Sequence, residues 1–147
     1  TNDNLFDIFN IIDSKYKIII ISERELPSNF NEYIFNGSPN KLPDLLYHSS
    51  FFIGDSGTMA TEAAVLGIPN ILINKLAKNI GVHKELYSKG LQFYFDSFSD
   101  SLSTIKKFIL DRRIKSEFKN NQMKYIDKCD DLNKLMLNCF INRGQIK

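Results

Sequence analysis

The chain has 147 residues, of which 43% are hydrophobic and 24% charged, and its formal net charge is +2. That length suits one domain with a real core. The balance of apolar and charged residues excludes disordered, collagen-like and mucin-like chains.

The charge is uneven. Residues 1–104 carry eight Lys/Arg against twelve Asp/Glu, and residues 105–147 carry eleven against five. A basic C-terminal end can meet nucleic acid or an anionic membrane, but a solvated helical face accounts for it more simply. No nucleic-acid partner is expected. No apolar run approaches the roughly 20 residues of a membrane helix, and no signal peptide opens the chain, so a cytoplasmic protein is expected. Cys129 and Cys139 have neither metal-ligand spacing nor a neighbouring histidine. Ten residues apart on helix they stand about 15 Å from each other, too far for a disulfide. Buried free thiols are expected.

In chain order, Leu5, Ile8, Phe9 and Ile12 repeat at helical spacing and predict an amphipathic helix over residues 3–14. The β-branched run 17–22 predicts a strand buried on both faces. Residues 32–35, closed by Asn36 and Gly37, predict a second. Leu42–His48 reads as helix, with Pro43 in its first turn. Residues 51–54 read as strand, 56–66 as helix with a stop at Gly67, Ile68 and Pro69, and 70–74 as strand. A helix over 82–89 ends at Gly90, and a strand covers 91–95. From 101 to 142 the chain reads as two or three helices, broken near Asp111 and Asp130. Strands alternating with helices predict a doubly wound parallel α/β sheet.

The segment 51–69 carries the chemistry. Gly54, Ser56 and Gly57 stand at the carboxyl end of a strand, where open α/β sheets bind ligands. Gly57 lets backbone approach a ligand closely. The first turn of the following helix offers free N–H groups and partial positive charge to a phosphate, and Ser56 and Thr58 add hydroxyls. The Glu62 carboxylate can accept hydrogen bonds from the vicinal hydroxyls of a ribose. The plain alternative is a strand-to-helix turn capped by Ser56, with Glu62 solvated.

Asp55-Ser-Gly-Thr-Met-Ala-Thr-Glu-Ala-Ala64, followed by Leu66-Gly-Ile-Pro69, resembles the nucleotide-binding half of GT-B fold enzymes. It is similar to the non-hydrolysing UDP-N-acetylglucosamine 2-epimerases. It is more similar still to an uncharacterised archaeal and bacterial glycosyltransferase-like family with a Gly-Thr-Met-x-x-Glu-Ala-Ala core, because Thr58 stands where the epimerase motif has its second glycine. The resemblance implies a Rossmann-like half of a GT-B fold, with Ser56 and Gly57 on the phosphates and Glu62 on the ribose. It implies UDP or a UDP-sugar as ligand, no cofactor, and a single nucleotide-sugar-binding domain over 1–147. The start at Thr1 suggests a processed chain or an excised fragment; the expectation is a fragment of a two-domain protein, inactive alone, that would meet a missing N-terminal domain or form a homodimer. Transfer and epimerisation both stay open, as does a non-catalytic nucleotide-binding or interaction module.

Two further candidates share the expected ligand edge. Arg24 follows the first predicted strand and can pair with a diphosphate. His83 is expected in the loop or helix start after the 70–74 strand, a region that in similar enzymes faces the sugar or distal phosphate; the alternative is a partly exposed histidine with no role. His48 lies on the opposite edge and is expected to be structural. A hydrolase elbow is disfavoured because Thr58 replaces the second glycine of Gly-x-Ser-x-Gly. P-loop and dinucleotide fingerprints are absent, and no metal cluster is predicted.

Overall fold

The computed structural model describes residues 9–12 and 16–141. Residues 9–11 are helical, and the rest of the helix expected over 3–14 lies largely outside the described residues. The fold is mixed α/β, built on a small parallel sheet and closed by C-terminal helices. Strands β1 (Phe52–Gly54), β2 (Asn70–Ile73) and β3 (Phe93–Phe95) pair in the order β1-β2-β3. Phe52 stands opposite Asn70, and Ile71 opposite Phe93. Around them lie α1 (Leu42–His48), α2 (Gly57–Leu66), α3 (Gly81–Ser88), α4 (Phe98–Leu110), α5 (Ile114–Ile126) and α6 (Leu132–Ile141).

Successive strand residues point to opposite faces, and this sorts the core into two layers. On one face Ile71 packs with Phe98, Ile105, Phe108, Ile114 and Phe118 of α4 and α5. The rings of Phe51, Phe93 and Phe118 all meet Phe108 edge-on, with centroids 5.7–6.3 Å away. On the other face Leu72 packs with Ala60 of α2 and with Ala77, while Ala64 meets Leu86 of α3 and Leu91. Alanines on α2 let its backbone lie close to the sheet. Gly67 ends α2 at φ 75°, a left-handed conformation that favours glycine, and a β-carbon there would stand 3.3 Å from the Lys119 Cα of α5. Ser97 caps α4: its Oγ accepts from the Asp100 N–H at 3.3 Å, and its hydroxyl donates to the Asp100 carboxylate at 2.7 Å. Asp111 breaks the chain between α4 and α5. The Arg113 backbone N–H donates to its carboxylate at 2.9 Å and holds its pKa below the usual carboxylate value.

Three expectations are corrected. The run 17–22 does not join the sheet. It makes a single parallel bridge, Ile20 with Ile34, and Ile19 and Ile21 are 39% and 42% exposed. The second strand expected at 32–35 reduces to Ile34, the partner in that bridge, because residues 32 and 33 close a 3-10 turn, Ser28–Tyr33, that buries Phe30. The cysteines are free but exposed. Cys129 sits in the turn after α5, and Cys139 lies on α6, which has no buried residue.

The apolar side chains of α6 are open: Leu132, Leu137, Phe140 and Ile141 are all more than half exposed. No helix of the described residues is long and apolar enough to cross a membrane. The aromatic layer sets the expected stability pattern. Phe108→Ala should cost about 3–5 kcal/mol in urea unfolding, whereas Leu137→Ala on open α6 should change stability by less than about 0.5 kcal/mol.

Candidate functional site

Both crossovers of the parallel sheet leave from the carboxyl ends of their strands, and they deliver α2 and α3 to the same edge. The turn between β1 and α2 is short: exposed Asp55, then half-buried Ser56 and Gly57. Ser56 is the N-cap of α2, and its Oγ accepts from the Met59 N–H at 3.3 Å. The first backbone bond of the helix runs from the Ala60 N–H to the Ser56 carbonyl at 3.0 Å. The amides of Gly57 and Thr58 take no partner among the described residues, so two donors of the first turn stay open. The Thr61 hydroxyl donates to the Gly57 carbonyl at 2.9 Å and steadies the same turn.

His83 closes one side of this turn. It is the third residue of α3, so it lies at the helix start, the second of the two expected places, but it is only 5% exposed where partial exposure was expected. Its Nδ1 lies 2.9 Å from Gln92 Oε1. The other ring nitrogen, Nε2, has no hydrogen-bond partner among the described residues and points at the start of α2. A β-carbon at Gly57 would stand 3.1 Å from it. Only glycine leaves the imidazole that close without crowding.

Thr58 and Glu62, four residues apart, share an exposed face of α2. Helical side chains lean toward the N-terminus, which carries the Glu62 carboxylate back toward the turn. The structure therefore brings Ser56, Gly57, Thr58 and His83 together, with Glu62 beside them. It does not bring Arg24. That residue is exposed, its backbone is tied locally to Ser22 Oγ, and the segment carrying it makes one bridge away from the three-stranded sheet. His48 is exposed at the end of α1 against the ring of Tyr47.

Two buried amides escaped the sequence reading, Gln92 and Asn70, both fully buried. Their signal was a polar residue inside each apolar strand run, Asn70-Ile-Leu-Ile73 and Leu91-Gln-Phe-Tyr-Phe95.

A shallow concavity of about 410 Å³ lies elsewhere, between α3 and α5, lined by Glu85, Lys89, Asn121, Lys124, Tyr125, Lys128 and Cys129. There the Tyr125 hydroxyl donates to Glu85 at 3.1 Å, and burial, then Glu85, pushes its pKa up. Its lysines are exposed, so it holds no buried group aimed at a ligand. Among the described residues no three His, Cys, Asp or Glu side chains gather to hold a metal ion.

Over residues 3–145 the chain matches the model of a family described as "Protein of unknown function (DUF354)". It belongs to that family. No curated protein and no solved structure matches it.

In this DUF354 chain the contact between Gly57 and His83 makes a separable prediction. Gly57→Ala places a methyl against Nε2 but gains helix propensity, so stability should stay within about 1 kcal/mol of the parent. The His83 imidazole signals in NMR should nevertheless move. An unmoved spectrum would mean that the ring does not stand against the turn.

Proposed function

We propose that this DUF354 domain binds the diphosphate and ribose of a nucleotide sugar across the start of α2. The observation that carries the reading is the buried imidazole of His83 aimed at Gly57, where two helix amides are open. A helix N-terminus with free N–H groups attracts phosphate, and a ring nitrogen beside it adds a third contact. The hydroxyl hydrogen of Ser56 stays free to donate, because its oxygen serves the cap. Glu62 offers an acceptor to ribose hydroxyls on the Thr58 side.

The fold belongs to the same proposal. A parallel sheet with α2 on one face and α4 and α5 on the other supports reading the chain as a Rossmann-like half of a GT-B protein. In that reading the sugar chemistry, transfer or epimerisation, requires a companion domain, and this chain alone binds without turnover. The open apolar side chains of α6 then face that companion, or a second copy of the chain. Arg24 is left out of the site as drawn.

Calorimetric or NMR titration with UDP tests the reading. Saturable binding is expected, weaker by about 1–3 kcal/mol in Glu62→Ala, the range for a lost charge-assisted hydrogen bond. No binding at millimolar UDP, or equal binding by the variant, would remove the nucleotide assignment.

A further inference from the structure

His83 ends a buried polar chain that crosses from the sheet to the α2 turn. At the other end is Asn70, whose Nδ2 donates to the carbonyls of Ile68 at 2.9 Å and Leu91 at 2.8 Å. Turning that amide over would set its oxygen against two carbonyls, so its orientation is fixed. Oδ1 is then left buried without a partner. Gln92 stands on the neighbouring strand run, one residue ahead of the Ile71–Phe93 pair and, by strand alternation, on the same face as Asn70. Its Nε2 is also buried without a partner. The atom that faces His83 Nδ1, at 2.9 Å, is the Gln92 amide oxygen Oε1. An amide oxygen only accepts, so Nδ1 must carry a hydrogen, and a neutral imidazole then has none on Nε2.

We propose that Gln92 is a positioning residue that keeps the His83 hydrogen on Nδ1, so that a phosphoryl group binding at Gly57 brings a proton from solvent onto Nε2. The inference rests on the phosphate part of the proposed function. An unprotonated Nε2 presents a lone pair to an anionic oxygen and repels it. The protonated ring donates, and completes a cradle with the Gly57 and Thr58 amides. No other titratable group bonds to the ring among the described residues. α3 packs against α2, β3, the 77–79 turn and α5, which bring Glu62, Tyr94, Lys78 and Tyr125, the last bonded to Glu85. Lys78 is held by Asp96 at 2.7 Å, and Glu62 is exposed, as is Asp55 before α2. On α3 itself Lys84, Glu85 and Tyr87 are exposed. None of these bonds to the imidazole among the described residues.

Long-range 1H–15N NMR reads which ring nitrogen carries the hydrogen, with exposed His48 as internal reference. At about pH 8, where an ordinary imidazole is neutral, His83 is expected in the Nδ1–H form. Gln92→Met, which keeps length and apolar fit without an acceptor, should release it toward Nε2–H. Gln92→Glu, which keeps an oxygen at Nδ1, should restore it. Sulfate is the binding probe because its charge does not change across this range. Its affinity, followed at the Gly57 and Thr58 amides, should rise about tenfold from about pH 8 to about pH 6 as one proton is taken up. Gln92→Met should lose most of that rise. An Nε2–H tautomer in the parent chain, a tautomer indifferent to Gln92→Met, or a flat sulfate profile would each overturn the proposal. The two readings fail separately. A UDP affinity indifferent to Glu62→Ala, with tautomer and sulfate linkage intact, removes only the nucleotide assignment, and the opposite pattern removes only the proton linkage.

Discussion

The site depends on the double enclosure of β2. This strand is paired on both edges, and Asn70, Ile71 and Leu72 are fully buried. A strand so placed must divide its side chains between two layers. Ile71 faces the aromatic layer of α4 and α5, and Leu72 faces the alanines of α2. Asn70 is tolerated there because both its amide hydrogens are bound to carbonyls, one of them, Leu91, on the run leading into β3. The same polar residue therefore ties the two strand runs whose ends hold α2 and α3 beside each other.

Size complementarity then decides how near the two helices come. Large rings fill the layer toward α4 and α5, where nothing has to approach the sheet closely. The opposite layer uses Ala60, Ala63 and Ala64, all fully buried. Small side chains bury little area each, so α2 gains less from packing than a leucine-bearing helix would. What it gains is proximity: a helix start brought to the strand ends, and Gly57 thin enough for an imidazole to reach it. Glycine is a poor helix former, and two open amides sit in the same turn. Local stability has been given up at the turn where the proposed ligand would bind, and the compensating burial lies on the other side of the sheet.

The elements that were legible in the sequence are the ones whose signals are local. The segment 51–69 announces a strand, a turn, a helix and a stop through residues that act within a few positions of one another, from the Ser56 cap to Gly67. The breaks at Asp111 and Asp130 were equally local. The run 17–22 misled because four consecutive isoleucines state only that the chain can extend. Whether it pairs is decided by residues 28–34, where burying Phe30 in a 3-10 turn won over extending a partner strand. The cysteines misled for a related reason, since helical periodicity does not say whether a helix has a neighbour. In the site, Ser56, Gly57, Thr58 and Glu62 were readable as a motif. The burial of His83 was not, because it depends on α3 crossing the first turn of α2. Nor were Asn70 and Gln92, since a single amide in an apolar run looks the same whether it ends a strand or serves as a strut inside it.

In the proposed function the arrangement constrains the ligand more than a phosphate site alone would. Gly57 and Glu62 are five positions apart, which on an α-helix is about 140° around the axis and about 7.5 Å along it. His83 approaches on the Gly57 side, and Thr58 and Glu62 occupy the exposed side. A lone oxyanion held by the open amides and the imidazole leaves the Glu62 carboxylate without a partner, and places like charges near each other. A ligand that satisfies both sides must carry its anionic group at one end and neutral hydrogen-bond donors at the other, spaced to bend over the helix start. A diphosphate joined to a ribose has that polarity and that reach. Free phosphate has neither, and an acidic peptide would set its charges on both sides. In the proposed reading, the pairing of an anion-attracting turn with an anion-repelling carboxylate on one helix is what favours a nucleotide over other phosphate-bearing ligands.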